Sequence, residues 1–443
     1  MRAPSLRFIG AALAVPTLLL TTTANPAAAH GPRPVEKVVP AVETPALYDD
    51  EAGGDADADD PAIWVHPADR ARFRKGATAQ SRGSATALSR VIATALSRVI
   101  ATAKNGGLRV YDLRGRELQS IATPPAPGPD DEAGRFNNVD IVEDFRLGGR
   151  TVDLAAVSDR GRDQLRFYAI DERTGLLTDV TAADVPFAFN ATQAEVNEQR
   201  TAYGLDAVDG GYLLVSRRST PEVGTFRLVE RNGRVSYRPV DRLTLPAEFT
   251  LPDGTHWAPC TDPGDGPQVE GVVVDAENRT AYLAQEDVAL WRVPIRDGRF
   301  TGRPAMVERV REFGIPATYD EATEECVVDY GADPGFGGRI AADVEGLTIL
   351  PTGRTGGTLL VSSQGDDTFY TYDRRSNRPI GHFAVVDGPR VDGSQECDGA
   401  AVTPTPLPGF PGGLLVVHDG QNTPGDGDRP NTNFKFLDAG FLY

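Results

Sequence analysis

The chain has 443 residues, and its 63 acidic side chains outnumber its 45 basic ones, which gives a formal net charge of −18. This excess of negative charge argues against nucleic acids and anionic membrane surfaces as partners. It fits either a protein that binds several divalent cations or a surface that is acidic for solubility alone. The 47 glycines and 34 prolines are typical of a loop-rich chain built from β-strands.

Residues 1–29 have the pattern of a secretory signal peptide. Arg2 and Arg7 are basic, residues 8–20 are mostly apolar, and residues 27–29 are three alanines that fit a small-residue cleavage site. The apolar run is too short for a membrane-spanning helix, although an uncleaved anchor is the alternative. We therefore predict a secreted, extracellular protein. We also expect the protein to be a monomer.

A motif recurs six times along the chain. Each copy begins with acidic or amide residues and continues into a short apolar strand. The copies lie at residues 59–64, 137–142, 203–208, 270–274, 343–349 and 398–402. A second strand with a polar end and a third strand, usually with an aromatic side chain, follow each copy.

A unit repeated at roughly fifty to eighty residues is the sequence signature of a β-propeller or a solenoid. The alternation within the strands and the short turns between them favour antiparallel pairing. The sequence thus predicts an all-β fold, a six-bladed β-propeller of four-stranded antiparallel blades over residues 56–443. Residues 30–55 precede the repeats, and we expect residues 35–47 to supply the strand that closes the ring.

Residues 89–96 and 97–104 are a tandem duplication whose copies differ only at the last position. One additional strand inside a blade would reverse the direction of every later strand, so one copy must lie outside the sheet. The second copy leads directly into the next predicted strand at residues 108–111. We therefore assign residues 97–104 as the second strand of blade one and predict an exposed loop or short helix for residues 89–96.

The chain has three cysteines. Cys260 and Cys326 lie in long loops at equivalent places in neighbouring repeats, so a disulfide between them is geometrically reasonable in an oxidising compartment. Cys397 would then be the unpaired thiol. The alternative is that all three are reduced and buried. No Cys-x-x-Cys spacing supports a zinc site.

In an antiparallel blade, the start of the first strand and the end of the second strand lie on the same side. At these positions, positive and negative side chains are segregated around the predicted ring. Blades one to three supply the cations Lys104, Arg160, Arg217 and Arg218. The other positions supply mostly oxygen ligands: Asp59, Asp60, Asp206, Glu270, Glu286, Asp287, Asp343, Glu345, Gln364, Asp392, Asp398 and Asp419.

Clustered carboxylates are costly unless a cation cancels their charge, and Ca²⁺ accepts six to eight oxygen ligands in flexible geometry. Lysine and arginine side chains that face a bound metal ion would form a binding site for a polyanion. Phosphate is the simplest candidate for this anion. The alternative for any single carboxylate is a turn cap or an ion pair with a nearby arginine.

The ordered motifs resemble the secreted bacterial β-propeller phytases from about Ala56 to the C-terminus. The strongest marks are residues 59–64, 137–140, 269–271, 343–348, 362–365, 392–393, 398–399 and 433–435. The resemblance implies a calcium-dependent, six-bladed enzyme that removes phosphates stepwise from phytate. It also implies one phosphate site for cleavage and a second site for a neighbouring phosphate.

The resemblance also assigns roles to individual residues. Lys104 and Arg160 match phosphate-binding cations, Tyr203 matches the tyrosine of the cleavage site, and Arg217 or Arg218 stands where the family has a lysine, with Arg218 favoured. Matches to the calcium cluster of the cleavage site are Glu270, Glu286, Asp343, Glu345 and Gln364. Matches to positions in or near structural calcium sites are Asp59, Asp60, Asn137, Asp392, Asp398, Asp419 and Asn422. The predicted catalytic residues are Lys104, Arg160, Tyr203, Arg218 and Glu270.

One departure from the family concerns its common pair of lysines at the end of the second strand of blade one, because here the pair is Lys104-Asn105. This puts the second phosphate site in doubt. Two other classes of function remain open: a calcium-dependent six-bladed lactonase, which needs no converging cations, and a non-catalytic secreted propeller that binds glycans or proteins. Fold alone does not separate these classes.

Overall fold

The computed structural model describes residues 34–74, 96–208, 210–323, 325–423 and 429–443. Residues 35–443 form one compact unit. The predicted signal peptide and residues 89–95 of the first duplicated copy lie outside the described residues. Within the described part of the chain, no helix is long and apolar enough to cross a membrane.

The structure is built almost entirely from β-strands. The strands of the N-terminal segment and of the first three repeats are β1 (Glu36–Val38), β2 (Val42–Glu43), β3 (Leu47–Tyr48), β4 (Pro61–Trp64), β5 (Arg98–Thr102), β6 (Leu108–Tyr111), β7 (Glu117–Ile121), β8 (Phe136–Leu147), β9 (Arg150–Asp159), β10 (Gln164–Ile170), β11 (Leu177–Asp179), β12 (Ala202–Val208), β13 (Tyr212–Arg217), β14 (Glu222–Arg231) and β15 (Arg234–Thr244).

The remaining strands belong to the last three repeats and their loops. They are β16 (Phe249–Thr250), β17 (His256–Trp257), β18 (Val269–Asp275), β19 (Thr280–Gln285), β20 (Ala289–Arg296), β21 (Arg299–Phe300), β22 (Ala305–Arg309), β23 (Ala317–Asp320), β24 (Glu325–Val328), β25 (Val344–Pro351), β26 (Gly357–Ser363), β27 (Thr368–Asp373), β28 (Pro379–Val385), β29 (Ala400–Thr403), β30 (Leu414–Asp419) and β31 (Asn431–Asp438). The described helices are α1 (Pro67–Arg74), α2 (Gln193–Val196) and 3₁₀ turns at Glu51–Gly53, Tyr330–Ala332, Gln364–Asp366 and Ala439–Leu442.

Six antiparallel sheets follow one another along the chain and form the blades. Blades one to five begin with β4, β8, β12, β18 and β25, and each continues outward in chain order; blade six has the order β29-β30-β31. The six innermost strands contact each other in sequence, and β29 contacts β4, so the ring is closed. The predicted six-bladed β-propeller is confirmed.

The N-terminal segment contributes to two blades. Strand β1 adds parallel to β28 at the outer edge of blade five, whereas β2 and β3 pair antiparallel with β31 and complete blade six. Pro40 and Pro45 separate these three short strands. Because proline has no N–H for the ladder, it interrupts a strand at each position. The first and last parts of the fold are therefore joined in one sheet.

Apolar side chains fill the space between adjacent blades. Between blades six and one, for example, Val99 and Tyr111 pack with Phe434 and Phe436, and all four are fully buried. Burying a side chain of this kind contributes about 1.5–3 kcal/mol. The second strands are buried along most of their length, because both of their faces lie against neighbouring blades.

Polar side chains on the innermost strands tie consecutive blades together. The Asp140 carboxylate of blade two accepts a hydrogen bond from the Ala207 N–H of blade three at 2.8 Å. Asp206 of blade three accepts one from the Val274 N–H of blade four at 2.9 Å. These carboxylates therefore replace a missing backbone partner at the edge of the next innermost strand.

Glycines in the repeated motif permit a close approach of neighbouring blades. A Cβ atom on Gly204 would lie 1.8 Å from the Glu270 carbonyl oxygen, and one on Gly271 would lie 2.0 Å from the Glu345 carbonyl oxygen. A Cβ atom on Gly346 would likewise come too close to the Asp398 carbonyl oxygen, which accepts a hydrogen bond from the Gly346 N–H at 2.8 Å. The glycines that follow Tyr203, Glu270 and Glu345 thus allow the motif of the next blade to approach closely.

Replacing Gly271 by alanine is expected to lower the free energy of unfolding by about 3 kcal/mol or more, because the added methyl group overlaps a backbone atom that cannot move alone. Urea unfolding measures the change. Gly381→Ala is the matched control, since its Cβ would meet nothing nearer than Thr371 Oγ1 at 3.9 Å. Equal stability of the two variants would contradict the close packing of the innermost strands.

The described residues bear on two predictions, one about the disulfide and one about the duplicated segment. Cys260 and Cys326 form a disulfide that joins the long loops before β18 and β25, and Cys397 is buried and free. Strand β5 lies within residues 97–104, as predicted, and Lys104 follows two residues after its end. The structure of the first copy stays a prediction.

Candidate metal and phosphate site

The starts of four innermost strands share an irregularity. In β8, β12, β18 and β25, the register with the second strand shifts after the first paired residue. The residues inside these shifts are Asn137 and Asn138, Tyr203 and Gly204, Glu270 and Gly271, and Glu345 and Gly346. A bulge redirects side chains and ends regular pairing. It therefore explains why motif residues from different blades meet at one end of the channel.

Three glutamates form the centre of this site. Glu270, Glu286 and Glu345 each place a carboxylate oxygen within 4.8 Å of the other two, and all three residues are buried. Glu270 and Glu345 lie at the starts of β18 and β25, and Glu286 directly follows β19. The cluster is formed by residues of two neighbouring blades, as their positions in the repeat predict.

Hydrogen bonds hold Glu270 in place from two sides. The Tyr203 hydroxyl donates to Glu270 Oε2 at 2.8 Å, and Asn137 Nδ2 donates to Oε1 at 2.8 Å. Asn137 Oδ1 in turn accepts a hydrogen bond from Arg160 at 3.2 Å. The Arg160 guanidinium also lies 5.5 Å from the centre of the Tyr203 ring. Asn137 and Tyr203 thus connect the acidic cluster to the cationic side of the site.

The carboxyl groups of the cluster are electrostatically unfavourable without a cation. Burial, together with the charges of Asp343 and Glu270, raises the pKa of Glu286 well above its usual value. Burial and the charges of Glu270 and Asp398 do the same to the pKa of Glu345. Glu286 Oε1 and Glu345 Oε2 are buried and have no hydrogen-bond partner.

An oxygen-only donor set with two unpartnered carboxylate oxygens fits Ca²⁺, which prefers carboxylate and amide ligands. A bound divalent cation would supply the partners that these two oxygens lack and offset the like-charge repulsion. The residues present therefore fit the predicted ion.

Lys104 pairs with carboxylates of blades one and six. Its ammonium lies 2.6 Å from Asp57 and 3.8 Å from Asp398, whose Oδ1 accepts a hydrogen bond from Gln364 at 2.8 Å. Burial lowers the pKa of Lys104, but Asp59, Asp398 and Asp57 outweigh burial and raise it, so the ammonium stays protonated at neutral pH. Its φ of 39° is uncommon for lysine and fits a residue placed by its surroundings.

The structure separates the two candidate arginines of blade three. Arg217 donates to Asn190 Oδ1 at 2.8 Å and to the Arg200 carbonyl at 3.0 Å, and it pairs with Glu222 at 3.1 Å. These contacts hold the Arg217 side chain against β14, the third strand of blade three, and the loop that precedes this blade. Burial is the largest cause of the lowered pKa of Arg160, and the charge of Arg218 also contributes to it.

Two aspartates of blade one and one of blade five complete the surroundings. Asp59 is buried with Oδ2 unpartnered, and burial and the charge of Glu270 raise its pKa despite the nearby Lys104. Asp60 accepts a hydrogen bond from the Val139 N–H at 3.0 Å. Asp343 has a raised pKa, chiefly from burial, and its side chain contacts Asp287.

A cavity of about 350 Å³ opens beside Asp343. Its walls include the Cys260–Cys326 disulfide, Trp257 and Tyr330, and carboxylates of Asp287 and Glu312 also face it. The two long loops therefore narrow the approach to the cluster from blades four and five.

Asp392 and Asp419, two predicted metal ligands, lie in a separate group. Both pair with Lys435, whose ammonium is fully buried and lies 3.1 Å from Asp419 Oδ2. Asn422 Oδ1 accepts a hydrogen bond from the same ammonium at 2.9 Å. The lysine already supplies a positive charge to these carboxylates, and metal binding there stays a prediction.

Asp57 and Gln268 are among the residues that contact predicted site residues and that sequence reasoning missed. Asp57 is the nearest carboxylate to Lys104, and Gln268 Nε2 donates to Glu286 Oε2 at 2.8 Å. A signal existed for Asp57, since aspartates alternate through residues 55–59 before the first motif. Gln268 lies in an irregular loop, where no periodicity indicates which side chain turns inward.

The sequence of this chain is similar to those of known proteins. A family model described as Phytase matches residues 90–206 and 315–440. The 3-phytase of Bacillus subtilis (strain 168) is 30% identical over 427 residues, which cover 95% of this chain and 88% of that protein.

Solved structures show weaker likenesses. The calcium-binding protein regucalcin of Agrobacterium tumefaciens aligns over 91% of this chain and 95% of its own, with 11% identity and a TM-score of 0.44. The periplasmic gluconolactonase of Pseudomonas aeruginosa aligns over 65% of this chain and 67% of its own, with 14% identity and a TM-score of 0.36. Scores this low carry no argument about function.

Proposed function

Because the chain belongs to the phytase family, we propose that it is a secreted, calcium-dependent phosphomonoester hydrolase that removes phosphates stepwise from phytate. The observation that carries the proposal is the cluster of Glu270, Glu286 and Glu345 with its two unpartnered oxygens. Asn137 links this cluster to Arg160, and Lys104 lies 3.8 Å from Asp398. Carboxylates that would hold a metal ion therefore lie near cations that would bind phosphate.

Several side chains have the position to hold the ions. Glu270, Glu286 and Glu345 would be the central ligands, and the outer candidates are Asp59, Asp60, Asn137, Asp343, Gln364 and Asp398. Bound Ca²⁺ supplies positive charge that neutralises a phosphate and lowers the pKa of a coordinated water. Glu270 is oriented for this role by Tyr203 and Asn137, which donate to its two oxygens.

The cations would bind and orient the scissile phosphate. Arg160 keeps its charge although burial lowers its pKa, because a guanidinium does not lose its proton at neutral pH. Lys104 is kept protonated by its carboxylate neighbours. Together with Arg218, these groups would stabilise the charge that develops on the equatorial oxygens in the transition state.

The same cations argue against the competing functions. A lactone substrate is uncharged at its reacting carbonyl and gives no reason for the half-buried cations Lys104 and Arg160 to lie near the carboxylates. A binding propeller would need carboxylates only where they support the fold, whereas the central cluster raises the free energy of the folded state when no cation is bound.

Chromatography of inositol phosphates tests the proposal. The purified protein, incubated with phytate and Ca²⁺, is expected to produce pentakis-, tetrakis- and lower phosphates in succession. A panel of sugar lactones under the same conditions serves as the control. Lactone hydrolysis without phosphate release would overturn the proposal.

A further inference from the structure

Gln268 connects two blades beside the glutamate cluster. It directly precedes β18, the innermost strand of blade four. Its Oε1 accepts a hydrogen bond from the Ser219 N–H of blade three at 2.9 Å, and its Nε2 donates to Glu286 Oε2 at 2.8 Å. The Gln268 carbonyl also accepts the Glu286 N–H at 3.2 Å. One glutamine therefore holds Glu286 through both its side chain and its backbone.

The contact with Ser219 fixes which end of the Gln268 amide faces Glu286. A backbone N–H can only donate, so the amide oxygen must face Ser219 and the amide nitrogen must face the carboxylate. Ser219 is buried, and its N–H needs a partner of this kind. The loop is held there a second time, because the Gly266 N–H donates to the Ser219 carbonyl at 3.0 Å. A contact in blade three thus sets the donor to a carboxylate of blade four.

The hydrogen bond from Gln268 leaves one oxygen of Glu286 for a cation. Oε2 is engaged by the amide, whereas Oε1 is buried and has no hydrogen-bond partner. The Glu286 carbonyl accepts the Val344 N–H at 3.0 Å, and Val344 directly precedes Glu345. The position that Gln268 gives to Glu286 is therefore defined relative to the next carboxylate of the cluster.

We propose that Gln268 is a positioning residue of the metal site, which by donating to Glu286 directs the free oxygen of that carboxylate toward Glu270 and Glu345. The inference rests on the proposed function, in which these three glutamates are the central metal ligands. A side chain that orients a metal ligand in this way typically contributes about 10–100-fold to metal affinity or activity.

Calorimetric titration of the mature protein with Ca²⁺ tests the inference. Gln268→Met keeps a similar length and shape but has no amide, and it is expected to shift at least one binding step to an at least about tenfold higher Ca²⁺ concentration. Gln268→Asn keeps the amide on a shorter side chain and is expected to lie between this variant and the wild type. An unchanged binding isotherm in both variants would overturn the role of Gln268.

Gln119→Met is the matched control. The Gln119 amide also bridges two blades, since it donates to the Leu177 carbonyl at 3.0 Å and accepts the Leu177 N–H at 2.8 Å. Gln119 lies on β7, at the outer edge of blade one. This variant is expected to bind Ca²⁺ like the wild type, and an equal weakening in both methionine variants would overturn the inference.

Melting temperatures separate positioning from a purely structural role. In chelator, both methionine variants lack two hydrogen bonds between blades, and both are expected to melt a few degrees below the wild type. Added Ca²⁺ is expected to raise the melting temperature less in Gln268→Met than in Gln119→Met or the wild type. A Gln268→Met variant that is destabilised in chelator but gains as much from Ca²⁺ as the wild type would show that Gln268 is only structural.

A double-mutant cycle tests whether Gln268 acts through Glu286. In a Glu286→Gln background, Gln268→Met is expected to shift the remaining Ca²⁺ binding by less than about twofold, whereas independent effects of the two changes would overturn the inference. Phosphate release from phytate by the wild type is measured separately. Ca²⁺ binding that weakens in Gln268→Met supports the inference even if no phosphate is released, and absence of Ca²⁺ binding in the wild type would overturn both proposals.

Discussion

Replacing Arg160 by alanine is expected to reduce kcat for phytate by at least about tenfold, which corresponds to about 1.4 kcal/mol of lost transition-state stabilisation. Arg160 is the cation that reaches the acidic cluster through Asn137 and lies over the Tyr203 ring. Its removal deletes a positive charge from the phosphate side and releases Asn137, which helps to orient Glu270. Initial rates of phosphate release measure the effect.

A matched control for Arg160 exists on another blade. Arg227 lies 5.1 Å from the centre of the Tyr212 ring, and Arg227→Ala removes a similar cation–aromatic contact far from the cluster. This variant is expected to keep wild-type turnover. Wild-type turnover in Arg160→Ala, with the melting temperature preserved, would contradict the phosphate-binding role.

Replacing Glu345 by glutamine is expected to reduce turnover at least about a hundredfold and to change stability in opposite directions with and without Ca²⁺. Glu345 is buried, carries an unpartnered oxygen, and is repelled by Glu270 and Asp398. In the chelated protein the neutral amide removes that repulsion, so the melting temperature should rise by a few degrees. With Ca²⁺ present, the variant binds the ion more weakly and gains less stabilisation by mass action.

Calorimetric scans with chelator and with added Ca²⁺ measure both effects. Glu277→Gln is the control, because Glu277 is exposed and pairs with surface Arg354. A Glu345→Gln variant that is less stable than the wild type in chelator would show that the carboxylate is stabilised by something other than a metal ion.

The architecture was predictable because the signal is repeated. Each innermost strand carries a polar residue followed by glycine or a second polar residue, and neighbouring strands pack through those glycines. The repeat therefore encodes both the ring and the meeting of Glu270 with Glu345. The N-terminal segment was harder to predict: one closing strand was expected, but prolines divide it into three short strands across two blades.

The finer arrangement of the site was less accessible from the sequence. Arg217 and Arg218 are adjacent, and only the contacts of Arg217 with Glu222 and Asn190 show which of them turns away. Lys435 is remote in sequence from Asp392, and their pairing depends on the path of irregular loops. Side-chain partners in loops are set by tertiary packing, which strand periodicity does not encode.

The most direct test of the account is phosphate release from phytate before and after chelation. The protein should lose activity when Ca²⁺ is removed by a chelator and dialysis, recover it on addition of Ca²⁺, and melt at a lower temperature in the chelated state. Full activity after thorough chelation, verified by metal analysis, would contradict the assignment of the glutamate cluster as a calcium site.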